Sequence, residues 1–101
     1  MSELLVIARL NITAGQEGAV SAALPKFIDA ARSEPGNIMF EGYRSLDNPL
    51  NYLLIERFAS RAAFDEHLTA PHYQEMALNY IVPRLDNRTI EEFDVIPRRT
   101  G

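Results

Sequence analysis

Few folds accommodate the order in which hydrophobic periodicity changes along this chain. From Leu4 to Ile12 the even positions Leu4, Val6, Ala8, Leu10 and Ile12 are all apolar, while the odd ones pass from Leu5 and Ile7 to Arg9 and Asn11. Alternation at every second residue marks a strand, here with one dry face and one that turns polar toward its end. After the turn Thr13-Ala14-Gly15 the period lengthens. Val20, Leu24, Phe27, Ile28 and Ala31 recur at three- and four-residue steps, the stripe of an amphipathic helix from Gln16 to about Ser33. Pro25 inside this stripe predicts a kink or an irregular start, because it lacks a donor and collides with the Ser21 carbonyl. Glu34-Pro35-Gly36 ends the helix, since proline disfavours helix in the residue before it and glycine permits a left-handed turn.

The period then returns to two. Asn37 to Leu46 reads as a strand with Ile38, Phe40, Gly42, Arg44 and Leu46 on one face. Asp47-Asn48-Pro49 is a turn, and Asn51 to Phe58 is a third strand in an antiparallel hairpin with the second. Ser60 suits the N-cap of a helix beginning at Arg61 and running to His67 or Leu68. This helix breaks near Pro71 and resumes with that proline in its first turn. Tyr73, Met76, Ala77, Tyr80 and Ile81 form its buried stripe, Pro83 closes it, and residues 88–96 give a last strand. Strand, helix, strand, strand, helix, strand is the ferredoxin-like βαββαβ plan, an α+β fold with a four-stranded antiparallel sheet and both helices on one face. The 101 residues suit one domain, residues 1–96, with 97–101 as a loose tail. The sheet's other face carries Leu, Ile, Phe and Tyr with no helix to cover it. A second copy packed sheet to sheet, a homodimer, is the expected partner.

Composition removes several function classes. The net charge is −4 and the longest basic run is Arg98-Arg99, so no stripe exists to neutralise phosphates and no nucleic acid is expected. Cysteine is absent, which excludes disulfides, thiolate catalysis and Cys-based metal centres. The opening MSELLVIARLNI is apolar for only five residues before Arg9, too short for a signal peptide or membrane helix. No membrane partner is expected, and a cytoplasmic location is the default expectation.

The chain has two histidines, His67 and His72, in the stretch HLTAPHY. Metal-binding pairs on a helix favour a three- or four-residue step, which puts both rings on one face. Five residues across a proline break do not do so, even with Glu56 as a conceivable third ligand, and no metal is expected. As proton-handling groups the two fit better. His72 lies in a first helical turn, where the dipole disfavours the cation; His67 lies near a helix C-terminus, where a positive ring is favoured. The plainer alternatives are carbonyl capping for His67 and a surface position for His72. Glu56 interrupts the row Tyr52, Leu54, Phe58, and if buried it needs a partner such as a histidine or Arg44. That pairing is otherwise a structural ion pair, which would still orient a histidine. Arg9, Asn11 and Arg44 end strands near a possible pocket mouth, suited to hold an anionic or phenolic oxygen, or else are solvated strand ends.

The first strand, Glu34-Pro35-Gly36-Asn37, Glu56-Arg57-Phe58, and above all Phe64 followed by His67-Leu68-Thr69-Ala70-Pro71-His72-Tyr73 resemble the antibiotic biosynthesis monooxygenase (ABM) domain family, of the dimeric α/β-barrel group. HLTAPHY is most similar to members that oxidise quinols or process the autoinducer-2 signal. Haem-degrading members use a tryptophan and an asparagine; tryptophan is absent here, although Asn11 stands where that asparagine would be sought. The resemblance implies a homodimeric monooxygenase acting with O2 on a small phenol or quinol, with no cofactor. His72 would be the base, Glu56 and His67 would orient it, and Phe64 and Tyr73 would line the cavity. The alternatives are an isomerase or epimerase of a small phosphorylated hydroxyketone, marked by Arg9 or Arg44 pointing inward, and a non-catalytic ligand-binding module.

Overall fold

The computed structural model describes residues 2–99; residues 100 and 101 of the expected tail lie outside them. Strand β1 spans Leu4–Ile12, helix α1 Glu17–Arg32, β2 Asn37–Arg44, β3 Asn51–Phe58, α2 Arg61–Thr69, α3 Tyr73–Ile81 and β4 Leu85–Asp94, with a short tight turn Val82–Arg84 before β4. The strands lie in the order β2-β3-β1-β4 and every neighbouring pair is antiparallel. This is the ferredoxin-like α+β plan. The even residues of β1 are all buried, and they meet the α1 stripe Val20, Leu24, Phe27 and Ala31 in one core. None of the described helices is long and apolar enough to cross a membrane.

Local details depart from the sequence expectations for identifiable reasons. Helix α1 runs unbroken through Pro25. Both Pro25 and Ser21 are exposed, so water can solvate the carbonyl that proline leaves without a helical donor. Strand β2 stops at Arg44, and Leu46 is wholly exposed in the following loop. A bulge between Asn37 and Met39 turns Ile38 out of the pairing and into solvent. Strand β4 starts three residues earlier than expected, because Leu85 pairs with Ile12 beyond an irregularity at Asn11, and it stops at Asp94 rather than at residue 96.

Gly36 does not adopt the left-handed conformation; among the described residues only Gly15 has positive φ, at 91°. Gly36 is needed for space instead. A Cβ there would fall 2.4 Å from the Ala63 Cβ, so the turn after α1 packs directly on α2. The Asn37 N–H donates to the Glu34 carbonyl and the Ala59 N–H to the Gly36 carbonyl, which fixes the turn in place.

Between α2 and α3 the backbone at Ala70 is extended, with φ −66° and ψ 143°, as the steric demand of the following proline requires. The Ala70 carbonyl then accepts from the Tyr73 and Gln74 N–H groups and opens the next helical turn. Helix α3 is wound in the wide π manner, its last N–H (Val82) reaching the Ala77 carbonyl five residues back. Tyr73, Ala77 and Ile81 are its buried residues, while Tyr80 turns out and stacks 3.9 Å from the Arg84 guanidinium carbon.

Candidate active site

His67 sits on the buried face of α2, one turn after Phe64, in a helix started by the Ser60 hydroxyl accepting the Ala63 N–H. Its ring is only 2% exposed and is surrounded by aromatics, with Tyr73 at 5.1 Å, Phe58 at 5.2 Å, Phe40 at 5.7 Å and Phe27 at 5.9 Å between ring centres. Phe64 stacks on it at 20°. A ring so enclosed has one orientation.

Its polar partner is Glu34, in the turn that closes α1. His67 Nδ1 lies 2.8 Å from Glu34 Oε2, and His72 Nε2 contacts the same oxygen. The extended Ala70 redirects the chain so that both rings point at one carboxylate, which helical spacing alone did not suggest. A neutral His67 donating from Nδ1 keeps its lone pair on Nε2. Nε2 has no hydrogen-bond partner among the described residues. Glu34 Oε1 is buried and likewise unpartnered. Burial holds the His67 imidazole below its ordinary range; the Glu34 carboxylate pulls the other way and His72 adds to the lowering. Burial is the largest of these effects and disfavours a positive His67, contrary to the expectation from its place near a helix end.

His67 also lines a cavity of about 40 Å³ between the sheet and the helices, room for a few water molecules. Its walls are apolar except for His67, Glu56, Arg88 and the Tyr73 hydroxyl edge. Glu56, 5% exposed, projects from β3 between Leu54 and Phe58. Desolvation first and Glu34 second raise its pKa to about 8, against the pull of Arg88. At neutral pH its carboxyl is thus mostly protonated and able to donate a hydrogen bond. Arg88, on β4 opposite Leu10, donates from Nη1 to the Tyr73 hydroxyl at 3.3 Å. Partly exposed Arg88 and exposed Ile90 form the outer edge of the cavity.

Of the residues singled out in the sequence, His67, Glu56, Phe64 and Tyr73 come together in this cavity. His72 does not line it; it stands behind Glu34 with 22% of its side chain exposed. Arg9 and Asn11 lie on the opposite sheet face, where Arg9 pairs with Glu91 at 3.3 Å and Asn11 donates to Asn51. Arg44 is exposed at the end of β2 and is no partner for Glu56. Two residues were missed. Glu34 read as part of a helix stop and of a family-like stretch but not as a site residue, and Arg88 as the start of the last strand; the alternation that puts Arg88 in line with Ile90 was the available signal.

The profile of the family described as Antibiotic biosynthesis monooxygenase (ABM) matches residues 4–77. The chain is 38% identical over 79 residues to the Mycobacterium tuberculosis protein named "Putative monooxygenase Rv0793", covering 78% of this chain and 73% of that one. The structure of that protein superposes with TM-score 0.82 at 29% identity over 99% of both chains. Protein SO0527 of Shewanella oneidensis superposes with TM-score 0.86 at 26% identity, covering 93% of this chain and 91% of that one. A Nitrosomonas europaea structure titled "Putative antibiotic biosynthesis monooxygenase" shares the fold, with TM-score 0.88, 19% identity, and 94% and 91% coverage.

Proposed function

The chain belongs to the antibiotic biosynthesis monooxygenase family, and we propose that it oxidises a small phenol or quinol with O2, using His67 as the base. The observation that carries this reading is the tie between His67 Nδ1 and Glu34, which leaves Nε2 as the proton acceptor on a ring that lines the cavity. The cavity holds only a few waters as it stands, so the substrate enters by displacing its outer edge at Arg88 and Ile90, and His67 then takes the phenolic proton. Glu34 holds the ring and stabilises the imidazolium as it forms. His72, on the same carboxylate oxygen and partly exposed, passes the proton toward the surface. Protonated Glu56 and Arg88 face the developing substrate anion from the sheet side. The deprotonated ring supplies the electrons to O2, so that a quinol and O2 give a hydroxyquinone and water.

The base is thus His67 rather than His72, because only His67 reaches the cavity. The isomerase alternative called for arginines in the pocket, with Arg9 or Arg44 as its markers; neither lines it, and the arginine that does, Arg88, is engaged with the Tyr73 hydroxyl. A non-catalytic module called for Glu56 and both histidines facing solvent, whereas Glu56 and His67 are buried. The open sheet face, with Leu5, Ile7, Leu53 and Ile55 half-buried and Phe93 and Tyr43 exposed, supports a sheet-to-sheet homodimer.

Oxygen uptake with a panel of quinols tests the reading. Wild type consumes O2 and releases the hydroxyquinone, and His67→Gln is slower by about 10²–10⁴-fold. Conversion of a phosphorylated hydroxyketone with no quinol-dependent uptake would replace this reading by the isomerase one.

A further inference from the structure

Glu34, His67 and His72 offer a carboxylate oxygen, an Nδ1 and an Nε2 that all lie within 4.8 Å of one another. We propose that these three residues bind a first-row divalent cation of the Zn2+ kind, and that the bound ion switches off the His67 base. The binding site stands on its own geometry; the switching rests on the monooxygenase reading above.

The donor set selects the ion. Two imidazoles and one carboxylate suit Zn2+, Co2+ or Ni2+, whereas Mg2+ and Ca2+ favour all-oxygen cages. A tetrahedral centre with bonds of about 2.0–2.1 Å spaces its donors roughly 3.4 Å apart. His67 Nδ1 and Glu34 Oε2 are 2.8 Å apart, so an ion requires the carboxylate to back away by a fraction of an ångström. The turn is fixed, so the adjustment falls to the Glu34 side chain and to the partly exposed His72. His67 is held by its aromatic cage and supplies the fixed point. Three protein ligands leave the fourth position to water or an anion.

A second observation points to a ligand. Glu34 Oε1 is buried with no hydrogen-bond partner among the described residues, while Oε2 serves both imidazoles. A buried acceptor left unpaired is costly. A carboxylate that holds the cation with both oxygens satisfies Oε1 as well as Oε2. The ion enters from the surface side, past His72, and not through the cavity.

The consequence for the cavity is a change of tautomer. With the ion on Nδ1, a neutral His67 carries its proton on Nε2. The group facing the cavity then donates a hydrogen bond where before it accepted one. No proton leaves the ring and no bond to carbon changes; the base is occupied by its own hydrogen.

Chelator-treated protein is titrated with Zn2+ by calorimetry and with Co2+ by visible absorption. One ion per chain is expected, with the intense bands of a tetrahedral or five-coordinate Co2+ centre. Glu34→Gln and His72→Ala, both checked for folding by circular dichroism, weaken binding by about tenfold or more. The absence of a stoichiometric Co2+ spectrum, or equal affinity in wild type and both variants, would overturn the site. For the switch, Zn2+ at saturation lowers quinol-dependent oxygen uptake of wild type at least tenfold and excess chelator restores it. Uptake that is unchanged or raised by bound Zn2+ overturns the switch. Absence of any uptake by metal-free protein fails the monooxygenase reading and the switch with it, while the Co2+ spectrum still decides the site.

Discussion

Glu34 Oε2 lies 2.8 Å from His67 Nδ1, and this contact leaves Nε2 as the free nitrogen of a ring that lines the cavity. Glu34→Gln keeps the shape and removes the charge that stabilises the imidazolium. Its kcat with a quinol substrate is expected to fall by about 10²-fold or more with KM nearly unchanged, since Glu34 is absent from the cavity wall. Steady-state oxygen uptake measures it. A variant with wild-type kcat would show that the contact is structural only.

Glu56 titrates near 8 in the folded chain, against 4.5 for the free side chain. The folded state therefore holds its proton more tightly than the unfolded state. The stability this contributes is complete below pH 4.5 and is lost as the pH rises through about 8. Glu56→Gln carries no such titration. Its stability relative to wild type is expected to rise across that window by a few kcal/mol, on the order of the shift itself. Urea unfolding of both proteins at several pH values measures the difference; two parallel pH profiles would mean that Glu56 is ionised and solvated in the native state.

Much of this arrangement was legible in the sequence, and the remainder depends on tertiary contacts. The alternation in β1 and the stripe in α1 identified the sheet and its covered face, because each pattern repeats over many residues. Glu56 stood out as a charge in an apolar row, and His67 as one of the chain's two histidines. Glu34 gave no comparable signal. It is 33 positions from His67 and lies in a turn, where a carboxylate is ordinary. What brings it to the ring is the close packing of Gly36 on Ala63. His72 was misplaced for a similar reason: its direction follows from the extended ψ of Ala70, a single dihedral that no periodicity records. The tendency of His67 to be charged was read from its helix end alone, and no periodicity reveals the burial that pushes its pKa down.

Gly36→Ala tests whether that packing sets the site. The added methyl would fall 2.4 Å from the Ala63 Cβ, so the turn carrying Glu34 has to move off α2. A loss of about 1–3 kcal/mol in unfolding free energy is expected, the usual cost of overpacking. Adding Ala63→Gly removes the clash, and the double variant recovers part of the loss despite the helix penalty of glycine. Additive effects in the two-variant cycle would show that the residues do not meet.

Ile55 bears on the open sheet face, where it lies between Ile7 of β1 and Glu41 of β2. Its side chain points away from the cavity and the helices, so a charge placed there leaves the core intact. If two copies pack through this face, each buries on the order of 800 Å², and an arginine at its centre is desolvated without a partner. Ile55→Arg is therefore expected to convert a dimer to a monomer in light scattering, with an unchanged circular dichroism spectrum. Quinol oxidation by that monomer then separates two roles of the partner. Activity that survives means each cavity is complete within one chain, as its lining by β1, β3, β4 and the three helices requires. A wild type that is monomeric at micromolar concentration, or an Ile55→Arg dimer, would show that the face serves another purpose.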